Sequence, residues 1–265
     1  MRRRLVTQTC FALLLAVAFA ASASAQDFQR TYQLGPDDSL RIENVSGNVN
    51  VVGYEGGSVS VAAFKEGRDR DAVEVEDLSA GGRIHLRAKY PNDCRNCNAS
   101  LRFEVRVPRA GLSLEKVSTA SGNITASDFS GEIHLNTASG DITLRNVSGE
   151  IKVATASGQL KVTNATGTVS AASASGDVEV EIARLEGAGN LRFSSASGNV
   201  HVRLPGSLDA RVSLSTASGR IETDFPLEVK RQEYGSGSTA RGLLGSGARD
   251  LRISTASGDV SLKSL

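Results

Sequence analysis

Thr137-Ala138-Ser139-Gly140-Asp141-Ile142-Thr143-Leu144-Arg145-Asn146-Val147-Ser148-Gly149-Glu150-Ile151-Lys152-Val153-Ala154 decides the fold, because the next residues, Thr155-Ala156-Ser157-Gly158, start it again. Ser-Gly or Thr-Gly pairs begin at 121, 130, 139, 148, 157, 166 and 175, a spacing of nine. Alternate pairs differ. Thr-Ala-Ser-Gly or Ser-Ala-Ser-Gly closes at Gly122, Gly140, Gly158 and Gly176, whereas Phe-Ser-Gly, Val-Ser-Gly and Ala-Thr-Gly close at Gly131, Gly149 and Gly167. The true period is therefore eighteen, with looser copies at Gly198, Gly219 and Gly258 and an earlier one at Gly47. Self-similarity at a fixed period marks a stacked repeat.

Counted from each glycine, position three is always aliphatic: Ile124, Ile133, Ile142, Ile151, Leu160, Val169 and Val178. Position five is Leu135, Leu144, Val153, Val162 or Val180, with Ala126 and Ala171 in two units, and positions two and four are polar or small. That alternation is a half-buried strand. Position eight is apolar again, as in Phe129, Ala138, Val147, Ala156 and Ala165, so the alternation breaks and the chain bends. The following glycine is expected to supply a positive φ at low cost.

Two closures fit. Each eighteen-residue coil, made of two nine-residue strand-turn units, can add one strand to each of two facing parallel sheets about 4.8 Å above the last. Alternatively, neighbouring units pair as antiparallel hairpins. Position eight spoils the strict alternation that a hairpin meander keeps, which favours an all-β, parallel β-solenoid. Stacking would then align Thr119, Thr137, Thr155, Ser173, Ser195, Thr216 and Thr255 in one hydroxyl column, and Ser121 through Ser257 in another. Such hydroxyls can satisfy turn backbone groups.

The Thr-Ala-Ser-Gly-Asp-Ile and Val-Ser-Gly-Glu-Ile repeats resemble the bacterial "putative adhesin" family of β-strand-repeat domains, a family of unknown function. Further marks are Ile42-Glu43-Asn44-Val45-Ser46-Gly47-Asn48-Val49, Phe103-Glu104-Val105-Arg106-Val107-Pro108, and Gly245-Ser246-Gly247 leading to Thr255-Ala256-Ser257-Gly258-Asp259-Val260. The resemblance spans about residues 38–265. It implies the β-repeat fold and surface attachment, and transfers no catalytic residue.

At the amino terminus, Arg2, Arg3 and Arg4 precede the uncharged stretch Phe11 to Ala20 and then Ala23-Ser24-Ala25, the order of a secretory signal peptide over residues 1–25. The stretch is shorter than the roughly 20 residues of a membrane span, and Cys10 lies before it, away from the cleavage point. Export to the periplasm, cell surface or medium is expected, with no transmembrane anchor in the mature chain. Removing the three arginines leaves 27 Lys and Arg against 29 Asp and Glu, which excludes a basic nucleic-acid binder. With 27 glycines, five prolines and no tryptophan, the composition suits tight turns and thin layers.

Residues 26–110 read as an irregular β-rich cap, with strands at Leu40 to Val45, Ser58 to Phe64, Arg83 to Lys89 and Leu101 to Val107. Residues 111–265 read as the regular solenoid, interrupted at about 226–250 by a Gly/Ser-rich insertion taken as a protruding loop or flexible segment.

Candidate chemistry is sparse. Cys94 and Cys97 are expected to form a disulfide in an exported protein; a zinc site would need two more ligands, and redox chemistry would need a βαβ setting. His85, His134 and His201 each lie between aliphatics and should point outward, scattered and solvated. Stacking in chain order places Glu179 and Glu222 beside His201, and Glu181 and Asp224 beside Arg203, an alternating charge ladder. Glu179 and Glu181 could instead be read as a glycosidase acid pair. Asp141, Asp177 and Asp259 suggest a calcium-binding β-roll, but the same column holds Asn123, Gln159, Asn199 and Arg220. Five Asn-x-Ser/Thr sequons, Asn146-Val147-Ser148 among them, follow from the repeat grammar.

The expected function is that of a non-catalytic adhesin or cell-envelope binding or scaffold protein, without cofactor or metal. Its expected partners are an envelope polymer, a surface protein, or a second copy joined end to end. The alternatives are an envelope-stress sensing partner of a membrane protein and an extracellular carbohydrate-active enzyme on a β-helix.

Overall fold

The computed structural model describes residues 27–35, 37–92, 94, 97–231 and 235–265. The expected signal segment lies outside the described residues. The described residues are all-β apart from one short 3-10 turn at Arg70–Ala72.

In chain order the strands are β1 (Phe28–Gln33), β2 (Ser39–Glu43), β3 (Val49–Tyr54), β4 (Ser58–Glu66), β5 (Glu74–Asp77), β6 (Arg83–Lys89), β7 (Ser100–Pro108), β8 (Ser113–Ser121), β9 (Ile124–Ser130) and β10 (Ile133–Ser139). There follow β11 (Ile142–Ser157), β12 (Leu160–Ser175), β13 (Val178–Arg184), β14 (Leu191–Ser197), β15 (Val200–Leu204), β16 (Ala210–Ser218), β17 (Ile221–Thr223), β18 (Val229–Arg231), β19 (Ser238–Leu244), β20 (Asp250–Ser257) and β21 (Val260–Ser264). Prolines stand at strand ends, where a missing N–H costs nothing: Pro108 ends β7, Pro205 follows β15 and Pro226 follows β17.

Repeats nine residues apart do not pair as hairpins. Those eighteen apart pair in parallel, as in Ile133 opposite Ile151 and Ile142 opposite Leu160. Two ladders result. The first runs β6, β2, β8, β10, the second half of β11, the second half of β12, β14, β20, β16. The second runs β7, β3, β9, the first half of β11, the first half of β12, β13, β15, β21, β17. Their inward aliphatics, including Ile133, Leu135, Ile142, Leu144 and Ile151, form one buried cluster.

The two halves of a winding close differently, which accounts for the eighteen-residue period. In the second ladder, Asp128, Asn146 and Asn164 adopt φ of 58°, 52° and 54°, a conformation Asn and Asp tolerate better than most residues. This bulge turns Phe129, Val147 and Ala165 inward. In the first ladder the alternation continues unbroken, so Thr137 and Thr155 point inward while Ala138 and Ala156 are exposed. Position eight is thus a core position in only every other unit.

Chain order and stacking order part company at both ends. β2 lies between β6 and β8, and β3 between β7 and β9, so the ladders run on past residue 110 toward the amino terminus. At the other end, β20 lies between β14 and β16, and β21 between β15 and β17. Antiparallel strands cover the outer edges: β5 on β6, β4 and then β1 on β7, and β19 on β16. Residues 226–250, expected as a protruding loop, therefore carry β18 and β19. The reason is edge protection: Ser238, Ala240 and Leu244 are buried as β19 covers the open side of β16. Across the amino-terminal end, Tyr32 of β1 donates a 2.7 Å hydrogen bond to Asp77 of β5, tying the outermost strands of the two ladders.

Candidate functional site: corners and outward rows

Seven corner glycines stack almost in contact. A Cβ at Gly140 would lie 2.0 Å from the carbonyl oxygen of Gly122, one at Gly158 2.0 Å from that of Gly140, and one at Gly176 2.0 Å from that of Gly158. The same holds for Gly122, Gly198, Gly219 and Gly258, at 2.0–2.3 Å from the glycine beneath. In the other corner Gly131, Gly149 and Gly167 would meet the carbonyls of Leu112, Gly131 and Gly149 at 2.6, 2.2 and 2.4 Å. The expectation that these glycines serve a positive φ holds for Gly149 and Gly167, at 117° and 111°, and for Gly122, Gly131, Gly158, Gly176 and Gly258, at 154–158°, but Gly140, Gly198 and Gly219 have no left-handed φ. There, the close approach of stacked backbone excludes a side chain.

Buried hydroxyls lock these corners. Thr137, Thr155, Ser195 and Thr255 donate to the carbonyls of Gly122, Gly140, Gly176 and Gly198 at 3.1, 3.1, 2.9 and 2.8 Å. Ser238 of β19 extends the column onto Gly219 at 3.0 Å. Beside it, the column suggestive of calcium has another use. Asp141, Asp177 and Asp259 accept the backbone N–H of Gln159, Asn199 and Arg220 at 2.8, 2.7 and 2.8 Å, and the bond from Arg220 is the chief reason Asp259 ionises more readily than usual. Among the described residues no three metal-ligating side chains converge. Asn146 and Asn164 likewise form a ladder, Asn146 Nδ2 to Asp128 Oδ1 at 3.0 Å and Asn164 Nδ2 to Asn146 Oδ1 at 2.8 Å. Cys94 and Cys97 are joined as a disulfide, with Cα atoms 5.3 Å apart, between β6 and β7.

On the outer face of the second ladder a shallow groove of about 540 Å³ is lined by Lys161, Glu179, Glu181, His201, Arg203 and Lys263. Glu179 lies 2.8 Å from Lys161 and Glu181 3.7 Å from Arg203. The expected far neighbours are replaced: His201 stands between Glu179 and Ser261, and Arg203 between Glu181 and Lys263. Insertion of β21 separates them from Glu222 and Asp224, which approach Lys263 instead, at 3.8 and 3.2 Å.

The first ladder's outer face holds a row that the sequence reading missed. His85, Arg41 and Lys116 are in register on neighbouring strands, as are His134 and Lys152, and a bulge in β8 leaves Glu115 and Lys116 together opposite His134, so His85 and His134 lie along one face instead of being scattered. His85 is half-buried, 3.2 Å from Glu43. Glu43 gathers Arg41 at 2.7 Å and Lys116 at 3.1 Å, and its carboxyl is drawn down to about 2, first by the Arg41 hydrogen bond. Beyond Lys152 the row continues through Ser170, Arg192, Arg252 and Ser213. Offsets of eighteen residues find Lys116, His134, Lys152 and Ser170, whereas Arg41 is seventy-five residues from Lys116 and Arg252 sixty from Arg192, and these give no such signal.

No curated protein matches the chain. Among solved structures, a "putative cell adhesion protein" from Clostridium sporogenes ATCC 15579 is 12% identical, with TM-score 0.33, covering 90% of this chain and 99% of that one. A "putative adhesin" from Parabacteroides distasonis ATCC 8503 is 10% identical, with TM-score 0.40, covering 88% and 96%. A "putative lipid binding protein" from the same organism is 12% identical, with TM-score 0.33, covering 90% and 96%. The family profile described as Toastrack DUF4097 matches residues 30–263. With nearly the whole described chain inside that match, the protein belongs to the Toastrack DUF4097 family.

Proposed function

We propose that this chain is an exported β-solenoid that acts without catalysis, as an adhesin or cell-envelope binding and scaffold surface. Its eighteen-residue coils stack as a stiff body, with the antiparallel strands at both ends serving as caps. The observation that carries this reading is the in-register stacking of outward rows on successive parallel strands, as in β11 on β12 and β14 on β20. Backbone spacing repeats while side-chain chemistry changes from winding to winding, which suits contact with an extended partner better than enclosure of a small molecule.

The mature chain, immobilised, should retain cell-envelope material more strongly than an unrelated folded β-solenoid of similar charge. Equal retention by the two would overturn the proposal. The carbohydrate-active alternative rests on Glu179 and Glu181, which are held on an open face beside Lys161 and Arg203. A glycosidase acid is instead kept in an apolar enclosure. Glu179→Gln with Glu181→Gln should leave any polysaccharide-cleaving activity of the preparation unchanged; its disappearance would favour the enzyme.

A further inference from the structure

Arg192 and Arg252 are in-register neighbours on β14 and β20, separated by one strand spacing of about 4.8 Å. Like charges directly opposite one another destabilise a sheet unless something compensates them. The lysines of the same row are compensated, Lys116 by Glu43 at 3.1 Å and Lys152 by Glu150 at 2.5 Å. Among the described residues, no carboxylate comes within ion-pair distance of Arg192 or Arg252, and Asp250 on the neighbouring row lies against Arg211 at 3.6 Å.

Beside the two arginines runs a row of short hydroxyls: Ser194, Ser254 and Ser215 are in register on β14, β20 and β16. Both arginines are exposed and the serines half-buried, so the guanidiniums stand along a low shelf. Guanidinium forks match planar carboxylates, and serine hydroxyls both donate and accept. A sugar chain bearing carboxylates uses both rows at once. A phosphate polymer also pairs with the arginines, but its oxygens can only accept from the serines, whereas sugar hydroxyls both accept from them and donate to them.

We infer that Arg192, Arg252 and the adjoining serines form a binding strip for an extended acidic polysaccharide running along the stack, across the strands. The inference rests on the binding-surface reading above and names its ligand. The probe is polygalacturonate, with dextran as the neutral control and polyphosphate of equal charge as the competing anion.

The mature chain should bind polygalacturonate and not dextran. Arg192→Gln with Arg252→Gln should weaken binding about tenfold, the loss of two surface charge contacts. Lys152→Gln, in the same row but facing Glu150, should change it by less than about twofold. Removing two like charges should not harm folding, and matching thermal melts would verify that. Unchanged binding by the double variant, or equally tight binding of polyphosphate, would overturn the inference. Retention of envelope material without affinity for polygalacturonate would overturn the ligand assignment and leave the binding surface standing; loss of both would remove the broader reading as well.

Discussion

Replacing Gly140 by alanine tests the stacked-corner geometry most directly. The added Cβ would sit 2.0 Å from the carbonyl oxygen of Gly122 and 2.6 Å from its carbon, where ordinary contact begins at 3.4 Å. Relief requires the two windings to part by about 1.4 Å at this corner, against a spacing of about 4.8 Å. Two contacts then fail: Gly122 N–H to the Ser139 carbonyl at 3.0 Å, and the Thr137 hydroxyl to the Gly122 carbonyl at 3.1 Å. Overpacking costs roughly 1–3 kcal/mol, and two lost hydrogen bonds with a buried hydroxyl unpaired cost roughly 2 more, so a loss of about 3–5 kcal/mol is expected. Gly187→Ala is the control, because that glycine has a φ of 69° but open space around it; its cost should be only about 1–2 kcal/mol of backbone strain. Urea titration followed by circular dichroism measures both. Since stacked windings can unfold piecemeal, the slope is read together with the midpoint. Gly140→Ala with a stability, from midpoint and slope together, within about 1 kcal/mol of the parent would refute the argument that clearance between windings demands glycine.

Thr155→Val keeps the shape of the side chain but removes its 3.1 Å bond to the Gly140 carbonyl, and should cost about 1–2 kcal/mol in the same titration; no loss would mean that the buried hydroxyl column is idle. Glu43 ionises more readily in the folded chain, at about 2 against an ordinary 4.5, so its contribution is complete above about pH 4.5 and declines as the pH falls through about 2. That contribution is at most about 3 kcal/mol, and smaller with added salt. Glu43→Gln should therefore flatten the acid limb of the stability curve, and an unaltered limb would assign acid sensitivity elsewhere. Deleting residues 250–265 removes β20 and β21 from between β14–β15 and β16–β17. Because windings touch only their neighbours, amide protection should collapse over 210–223, fall in part over 191–204, where β12 and β13 still pair, and persist over 133–175; retained protection over 210–223 would show that these strands do not depend on the inserted winding.

The residues from Thr137 to Ala154 were enough to read an all-β repeat with an eighteen-residue period, because strand alternation, corner glycines and inward aliphatics are local properties of short segments. The hydroxyl column of Thr137 and Thr155 was legible for the same reason. The order of the windings was not. Each winding presents the same backbone edge and the same Thr-Ala-Ser-Gly corner, so the segment from Asp250 fits as well beside Leu191 as beside Ala210, and only the path of the whole chain places it between them. That placement moved Glu222 and Asp224 away from His201 and Arg203, set Arg192 against Arg252, and turned a Gly/Ser-rich stretch into the strand that covers β16. Repetition makes local structure readable and neighbours interchangeable; tertiary connection alone decides which outward side chains meet.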